Sequence, residues 1–318
     1  MKKVLISAVA ALLLFSCQND QAESSDVNAN ADASARRTCA TQEVFDAQLE
    51  ADPTLAIRMN EIEAFTSKNL LTGRLVNGKI EIPVVVNVLY RTAAENISDA
   101  RIQSQIDVLN KDFNALNSDY NSVPALFSGV KANVGITFVL DQIIRKSTTK
   151  TSWGTNDAVK KVAQGGLAPT SPTTKLNLWS CTIGGGILGY AQFPGGASAT
   201  DGVVIDSKYL GLAGSASAPY NLGRTATHEV GHWMNLRHIW GDANCGSDLV
   251  TDTPTHNTAN YGVPAYPHYS TCTGTPVEMT MNYMDYVDDN AMYMFSQGQK
   301  NRISAIFATG GPRAAFGI

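Results

Sequence analysis

The stretch HEVGHWMNLRH, residues 228–238, contains three of the five histidines of the chain. His228 and His232 are four positions apart, so on a helix their imidazoles project from one face about one turn apart. A single zinc ion can accept two nitrogen donors placed in this way. The spacing therefore predicts a helix that carries two metal ligands, with Glu229 beside the water that the metal activates.

His238 is the better candidate for the third ligand, which a catalytic zinc site requires beside its one open position. The alternative, a glutamate from a later helix, has only Glu278 to supply it, and that residue lies in a Pro- and Thr-rich segment without a helical pattern. His238 reaches the metal only if the helix stops near Asn235 and the chain turns sharply. The sequence therefore predicts a turn at this position.

Asn235 occupies the position at which the common pattern, HExxHxxGxxH, has glycine. A sharp turn usually needs a positive φ, for which glycine is the easiest choice. Asparagine is the next best, because its short amide side chain tolerates the left-handed region. We therefore interpret the stretch as a complete zinc site, because the whole set at this spacing is specific. We interpret the two remaining histidines, His256 and His268, as structural or solvent-facing.

Length and composition indicate a soluble globular protein. The 318 residues allow two average domains, or one larger domain with appendages. A hydrophobic fraction of 44% and a charged fraction of 16% suit a globular body with an ample core. The net charge of −4 and the lack of any lysine/arginine run argue against nucleic acid as a partner.

The N-terminus has the pattern of an export signal. Two lysines precede an apolar run, residues 4–15, that is too short to span a bilayer. The run ends in LFSC, which resembles a bacterial lipobox, where cleavage occurs before a cysteine that then carries lipid. We predict a lipoprotein-type signal peptide over residues 1–17 with lipidation at Cys17. The alternative is an ordinary secretory signal that contains a cysteine, and the chain is exported in both cases.

Three further regions follow the signal. Residues 18–35 are small and polar without aromatics, which predicts a disordered tether. Residues 36–70 contain a helix-compatible segment, Glu43–Phe65, which is interrupted at Asp52-Pro53. We interpret this region as a propeptide, with a small structural lead-in as the alternative. We predict a catalytic domain over residues 71–318, with sub-lobes at about 71–238 and 239–318.

The body of the chain alternates strands and helices before it becomes irregular. IEIPVVVNVLY, which starts at Ile80, predicts a strand, and the next segment predicts a helix with Ser98 as its N-cap. GITFVLDQII, KLNLWSC and DGVVIDSKYL predict further strands. The pattern is irregular for some 50 residues after Trp240, and a last helix is predicted over roughly Ser296–Phe307. The sequence thus predicts a mixed α/β lobe that precedes an irregular one.

HEVGHWMNLRHIWGD, followed by NYMDYVDD and then FSQGQKNRI, resembles the pappalysin family of metzincin zinc metalloproteases, the ulilysin- and cytophagalysin-like proteases. The resemblance covers roughly residues 80–318 and is densest over residues 228–307. It implies an α/β (α+β) metzincin-like fold, with a twisted mixed sheet, a backing helix and a zinc-site helix in the N-terminal lobe. The irregular C-terminal lobe would end in a helix.

The resemblance also implies a function. We expect an endopeptidase with one catalytic Zn2+ that acts on proteins or peptides, works as a monomer and meets a membrane only through a lipid anchor. The alternative is a non-catalytic, calcium-binding surface lipoprotein on a protease scaffold, which the intact histidines and Glu229 disfavour.

Several site residues follow from the resemblance. Met284 matches a methionine in a tight turn beneath the zinc site, although it could equally be a core residue. Tyr286 matches a tyrosine that stabilises the transition state, and GYAQFP at residues 189–194 matches a strand that pairs with extended substrates. Asp289 matches an acidic pocket residue of arginine-preferring members, which predicts cleavage before Arg or Lys unless it is an exposed loop acid.

The segment after the zinc helix predicts a bridge and a second metal. Family members have a calcium-stabilised loop and a disulfide here, and Cys245 and Cys272 match that bridge. GDANCGSDLVTDTP supplies hard oxygen donors suited to Ca2+, namely Asp242, Asp248 and Asp252. These acids could equally be solvated loop residues.

Cys39 has two possible uses. Some pappalysins are kept latent by a propeptide cysteine, following an arginine, whose thiolate occupies the open zinc position. Arg36-Arg37-Thr38-Cys39 resembles this device, and a soft thiolate binds zinc well. A disulfide with Cys181 is the alternative that an oxidising compartment permits. We favour the latency switch, so that the enzyme would be synthesised as a zymogen.

Overall fold

The computed structural model describes residues 36–70, 80–212 and 216–316. The predicted signal peptide, the lipidation site at Cys17, the tether of residues 18–35 and the first residues of the predicted catalytic domain, 71–79, lie outside the described residues. The described residues belong to one compact unit. Among them, every helix is too short or too polar to cross a membrane.

The helices and strands are distributed unevenly along the chain. The helices are α1 (Thr41–Ala51), α2 (Thr54–Asn69), α3 (Asp99–Phe113), α4 (Arg224–Trp233) and α5 (Gln297–Phe307). The strands are β1 (Ile80–Tyr90), β2 (Lys131–Ala132), β3 (Ile136–Ser147), β4 (Leu176–Cys181), β5 (Gly189–Ala191), β6 (Val203–Asp206) and β7 (Phe295–Ser296). The described residues between α4 and β7 form turns, isolated bridges and one 3-10 turn at Asp289–Ala291, as the irregular pattern after Trp240 predicted.

Helices α1 and α2 are separated at Asp52-Pro53, where the predicted helical segment is interrupted. Proline favours the start of a helix, because it has no N–H to contribute and its φ is already helical. The Asp52 carboxylate accepts hydrogen bonds from the backbone and side chain of Thr54, which turns the chain into α2. One face of α2 then packs against Phe193, which follows β5, through Leu55, Met59 and Ile62.

The main sheet has five strands in the order β3-β1-β4-β6-β5. The first four are parallel, and β5 runs antiparallel to β6 at the edge. Strand β1 lies between two neighbours and is buried along most of its length, as its nearly continuous apolar sequence requires. A second sheet pairs β2 with β7 antiparallel.

Helix α3 is the backing helix, and α4 lies under the edge of the sheet. The N-cap of α3 is Ser98, whose hydroxyl accepts from the amide of Arg101. The predicted apolar positions of α3 are buried, and the helix packs against β3 and α4. All ten residues of α4 are buried, and the helix packs against β5 and β6. This arrangement confirms the predicted fold class and puts the histidine helix beside the edge strand β5.

The C-terminal part is fixed by one covalent link and one capped helix. Cys245 and Cys272 form a disulfide, as predicted. Helix α5 begins with a capping box between Ser296 and Gln299.

Candidate metal centre and cleft

Three imidazoles converge at the end of α4. Nε2 of His232 lies 3.2 Å from Nε2 of His228 and 3.0 Å from Nε2 of His238. All three side chains are buried. Burial lowers the pKa of His228 and His232 well below the usual value, and the neighbouring imidazoles lower both further. The rings of these two histidines are therefore neutral, the form that binds metals.

The Nδ1 atoms of the three rings determine where their protons lie. Nδ1 of His228 is 2.7 Å from the carbonyl oxygen of Tyr283, and Nδ1 of His232 is 2.8 Å from that of Leu236. Nδ1 of His238 contacts the Asp242 carboxylate. Because each Nδ1 faces an acceptor and carries the proton, each Nε2 presents a lone pair. Three lone pairs that face one another repel unless a cation lies between them, so this donor set fits a zinc ion.

The turn at Asn235 brings His238 back to the other two histidines. Asn235 has a φ of 71°, the positive value that the sequence argument requires. The amide of Leu236 donates to the carbonyl of Gly231, which ends the helix. The carbonyl of Leu236 is then free to hold His232. The departure from glycine is therefore compatible with the turn.

Met284 lies directly beneath α4. A Cβ atom on Gly231 would be only 2.5 Å from the Met284 sulfur, so any other residue at this position would force the buried Met284 side chain to move. The turn also presents the Tyr283 carbonyl to His228, and the Met284 carbonyl accepts from the amide of Ile239. Met284 thus packs in the core and supports the histidine cluster at the same time.

Glu229 lies between the histidine cluster and β5. Its Oε2 atom accepts from the hydroxyl of Thr41 at 2.9 Å and lies 3.3 Å from the sulfur of Cys39. Burial raises the pKa of Glu229 to about 7, against the opposing effects of Thr41, Cys39 and Arg37. A carboxyl group with such a pKa can take up and release a proton near neutral pH.

The hydroxyl of Tyr286 points at Cys39, the residue whose sulfur also contacts Glu229. It donates to the carbonyl oxygen of Cys39 at 3.1 Å. Burial is the largest cause that raises the pKa of Tyr286 well above its usual value, and the negative charge of nearby acidic groups adds to it. The phenol therefore stays protonated and acts as a donor.

Cys39 is part of the histidine cluster. Its sulfur and one nitrogen of each of His228, His232 and His238 all lie within 4.8 Å of one another. Cys39 and Cys181 are both free buried thiols, so the alternative disulfide is not formed. The backbone around Cys39 pairs with the edge strand in parallel, since the amide of Ala40 donates to Gly189 and the amide of Leu188 donates to Thr38.

Asp289 is buried and forms an ion pair with Arg37. The amides of Leu222 and Arg224 donate to its second oxygen at 2.8 and 3.2 Å. The guanidinium of Arg37 also donates to the carbonyl of Val287. Asp289 is therefore a buried, fully paired carboxylate and not an exposed loop acid.

The three aspartates considered for calcium do not converge. Asp242 contacts His238, Asp248 accepts from the hydroxyl of Thr253, and Asp252 accepts from Ser296 and Gly298. Within residues 36–70, 80–212 and 216–316, the one group of three or more His, Cys, Asp and Glu side chains spaced for a metal is the histidine cluster with Cys39.

Sequence reasoning missed three participants that come from the N-terminal segment. Arg37 forms the ion pair with Asp289, and the hydroxyl of Thr41 donates to Glu229. Glu63 forms an ion pair with Arg302 beside Asn235. Only Arg37 had a signal in the sequence, because it precedes Cys39 and its charge is opposite to that of the predicted pocket.

Comparison with known proteins gives consistent matches. A family model described as "Pregnancy-associated plasma protein-A" matches residues 180–308. An extracellular metalloprotease of Pyricularia oryzae is 32% identical over 283 residues, which cover 85% of this chain and 88% of that protein. Extracellular metalloprotease 1 of Coccidioides posadasii is 33% identical over 242 residues, or 72% and 77% of the two chains.

Solved structures of one enzyme match most of the chain. Mature mirolysin of Tannerella forsythia, in complex with a cleaved peptide, is 44% identical with a TM-score of 0.74, over 76% of this chain and 96% of that chain. A promirolysin mutant of the same organism is 40% identical with a TM-score of 0.82, over 88% and 97% of the two chains. The pro-form therefore matches a larger share of this chain than the mature form does.

Proposed function

Because the chain belongs to the pappalysin family of metalloproteases, we propose that it is a zinc-dependent endopeptidase that is exported as a latent zymogen. The observation that carries this proposal is the convergence of three imidazole lone pairs beside a buried carboxyl group, Glu229. Protein and peptide substrates are supported by the mirolysin complex with a cleaved peptide.

His228, His232 and His238 would hold the zinc ion, and Asp242 would orient His238. Zinc bound there supplies a Lewis acid that polarises the peptide carbonyl and makes water easier to deprotonate. Oε2 of Glu229 takes the proton from the attacking water and passes it to the leaving amine.

Tyr286 supplies a hydrogen bond to the carbonyl under attack. In the latent form its hydroxyl donates to the backbone carbonyl of Cys39. A substrate carbonyl in the same position would receive the same bond, which strengthens as negative charge develops on the oxygen.

Cys39 keeps the enzyme latent in two ways. Its backbone lies where a substrate would bind, and its sulfur takes the open position of the metal. Its sulfur lies among the three ligand nitrogens, and Thr41 and Cys39 both contact the Glu229 carboxyl. The general base and the ligands are therefore all engaged by residues of the N-terminal segment. The larger coverage of promirolysin supports the interpretation of residues 36–70 as a propeptide.

Asp289 gives the pocket a preference for Arg or Lys on the carboxyl side of the cleaved bond. The buried ion pair with Arg37 supports this assignment, because an arginine side chain already fits the pocket. A planar guanidinium and a carboxylate form strong paired hydrogen bonds.

The direction of the prosegment explains why it is not cleaved. A substrate with arginine in this pocket has its cleaved bond on the amino side of that arginine. In the prosegment the metal cluster faces Cys39, on the carboxyl side of Arg37. The prosegment therefore runs through the cleft in the opposite direction to a substrate, in agreement with its parallel pairing to β5.

Export is supported by relatives that are named extracellular metalloproteases. A lipid anchor at Cys17 is proposed from the LFSC pattern alone, and mass spectrometry of the zymogen from a bacterial host would detect it. Structural calcium stays a prediction from the family resemblance. The three aspartates predicted to bind calcium, Asp242, Asp248 and Asp252, accept hydrogen bonds from other residues of the protein in this structure, so calcium binding would require additional ligands.

One digest tests the proposed activity and its selectivity. We expect the activated protein to contain one zinc per chain and to cleave a peptide library before Arg or Lys. The matched control, Glu229→Ala, keeps the three histidines, so it should retain zinc and lose cleavage by at least a hundredfold. Equal cleavage by Glu229→Ala would contradict the proposed role of Glu229. An inactive wild type with zinc bound would contradict the proposed activity and favour the non-catalytic alternative.

A further inference from the structure

Beyond the Asp289 pocket, the cleft contains a second contact with a positively charged side chain. The guanidinium carbon of Arg36 lies 5.1 Å from the centre of the Tyr261 ring. This is the distance of a cation–π interaction. Arg36 directly precedes Arg37, so two adjacent prosegment side chains occupy two adjacent places on the protein.

The backbone holds Tyr261 next to the Asp289 pocket. Gly262 forms a parallel bridge with Val287, and the amide of Asp288 donates to the carbonyl of Gly262 at 2.9 Å. Val287 and Asp289 both bind Arg37. Tyr261 therefore flanks the segment that forms the pocket, and its ring lies 5.9 Å from that of Tyr286.

We infer that Tyr261 forms the next subsite and selects a basic side chain at the second position after the cleaved bond. The prosegment runs through the cleft in the opposite direction to a substrate. The prosegment residue before Arg37 therefore lies where a substrate would place the residue after its own pocket arginine. Arg36 thus occupies the place of the second residue after the bond. This inference rests on the proposed function, because it uses the prosegment as a stand-in for the substrate.

Exposure of the ring fits this role. Tyr261 is 41% exposed although its ring packs on Tyr286 at one side. It begins a loop with three further exposed apolar side chains, Val263, Tyr266 and Tyr269. The quadrupole of a tyrosine ring attracts Arg or Lys, and the contact at an exposed site is worth about a two- to fivefold difference in affinity.

The test uses peptides that all have arginine directly after the cleaved bond and differ only at the next residue, as Arg, Lys, citrulline or Leu. Citrulline has the shape of arginine without its charge. For the activated wild-type enzyme we expect kcat/KM to be about two- to fivefold higher with Arg than with citrulline. The ratio should be kept in Tyr261→Phe, which keeps the ring, and fall to about one in Tyr261→Leu.

Three controls separate this subsite from its neighbours. Tyr269→Leu makes the same change on the same loop, and we expect it to keep the Arg/citrulline ratio. All variants should still prefer arginine directly after the bond, which reports an intact Asp289 pocket. If Asp288→Asn lowers the Arg/citrulline ratio of kcat/KM to about one and Tyr261→Leu leaves it unchanged, a carboxylate recognises the charge and the inference is wrong.

The two possible failures are distinguishable. Cleavage of every peptide in the series at the same rate would overturn the role of Tyr261 and leave the protease activity intact. Absence of cleavage in the whole series by protein that contains zinc would instead overturn the proposed function.

Discussion

Asn235 connects the histidine cluster to helix α2 and to Arg302 of α5. Its positive φ ends α4 and returns His238 to the other ligands. Its carbonyl accepts from Arg302, and its amide lies 3.4 Å from the Glu63 carboxylate, which is itself paired with Arg302. Asparagine thus contributes a side-chain contact with Glu63 of α2 that glycine at this position could not make.

The two roles of Asn235 predict different outcomes for two substitutions. Asn235→Gly should keep zinc, because glycine adopts a positive φ freely. Asn235→Val should bind zinc about tenfold more weakly, because a β-branched residue in the left-handed region costs about 1–2 kcal/mol and each 1.4 kcal/mol is a factor of ten. Zinc analysis after titration with a chelator measures the difference.

Leu249 offers a matched control for this strain. It has a φ of 63° and is exposed. Leu249→Val should therefore lower stability without changing zinc affinity. Zinc binding by Asn235→Val as tight as in the wild type would show that the turn does not depend on the residue at position 235.

Between elements, a buried acid links the backing helix to the zinc helix. Asp112 of α3 accepts from the hydroxyl of Thr227 on α4 at 2.8 Å, and one of its oxygens lies 3.7 Å from Nε of Arg224. Burial raises the pKa of Asp112 to about 6, against the opposing effects of Arg224 and Thr227. The packing of the two helices is therefore coupled to a proton.

The sign of this coupling gives a stability prediction. Since the folded pKa lies above the unfolded value of about 4, the contribution of Asp112 is complete below pH 4 and is lost as the pH rises through 6. Two pKa units correspond to about 3 kcal/mol. Relative to the wild type, Asp112→Asn should thus gain up to about 3 kcal/mol in unfolding free energy between pH 4 and pH 7.

Urea unfolding of the zymogen at several pH values measures this difference. Asp107→Asn, on the exposed face of the same helix, is the control and should give a difference that does not vary with pH. A pH-independent difference for Asp112→Asn would mean that the buried carboxyl does not titrate in this range.

Local patterns predict elements well where the element depends on its own residues. Helix α3 starts at the predicted cap, because Ser98 satisfies an amide of its own first turn. Strand β6 is shorter than the apolar run DGVVIDSKYL predicts. Asp206 ends it, since its carboxylate accepts from the amides of Ile183 and Lys208 and holds the chain in a turn. Ile183 is distant in sequence, so the pattern could not reveal this contact.

At the scale of the whole molecule, the candidate site also contains one part that local sequence determines, the histidine cluster, and one part that depends on distant contacts, the Arg37–Asp289 pair. The histidines lie within eleven residues, and their spacing on one helix and one turn determines their convergence. Arg37 and Asp289 are 252 residues apart, and their contact exists only where the backbone around Cys39 pairs with the edge strand β5. The sequence therefore predicts the ligands, while the occupancy of the pocket by the protein's own arginine depends on tertiary structure.

That long-range ion pair predicts how latency fails. In Arg37→Leu the buried Asp289 carboxylate loses its partner, which costs about 3 kcal/mol or more and weakens the docked prosegment. In Cys39→Ser a hydroxyl replaces the thiol and is a poorer zinc ligand. We expect both full-length variants to cleave a quenched peptide sooner after purification than the wild type, while Glu43→Gln, an exposed change on α1, stays latent.

Thermal unfolding in the Glu229→Ala background separates the two effects, because self-cleavage is then prevented. Arg37→Leu should lower the unfolding temperature of the zymogen, since it leaves a buried charge unpaired. Cys39→Ser should lower it only when zinc is bound, because the thiol stabilises the fold through the metal. If Arg37→Leu were as latent and as stable as the wild type, the prosegment would be held by Cys39 and the edge strand alone. The Asp289 pocket would then be filled by Arg37 without contributing to inhibition.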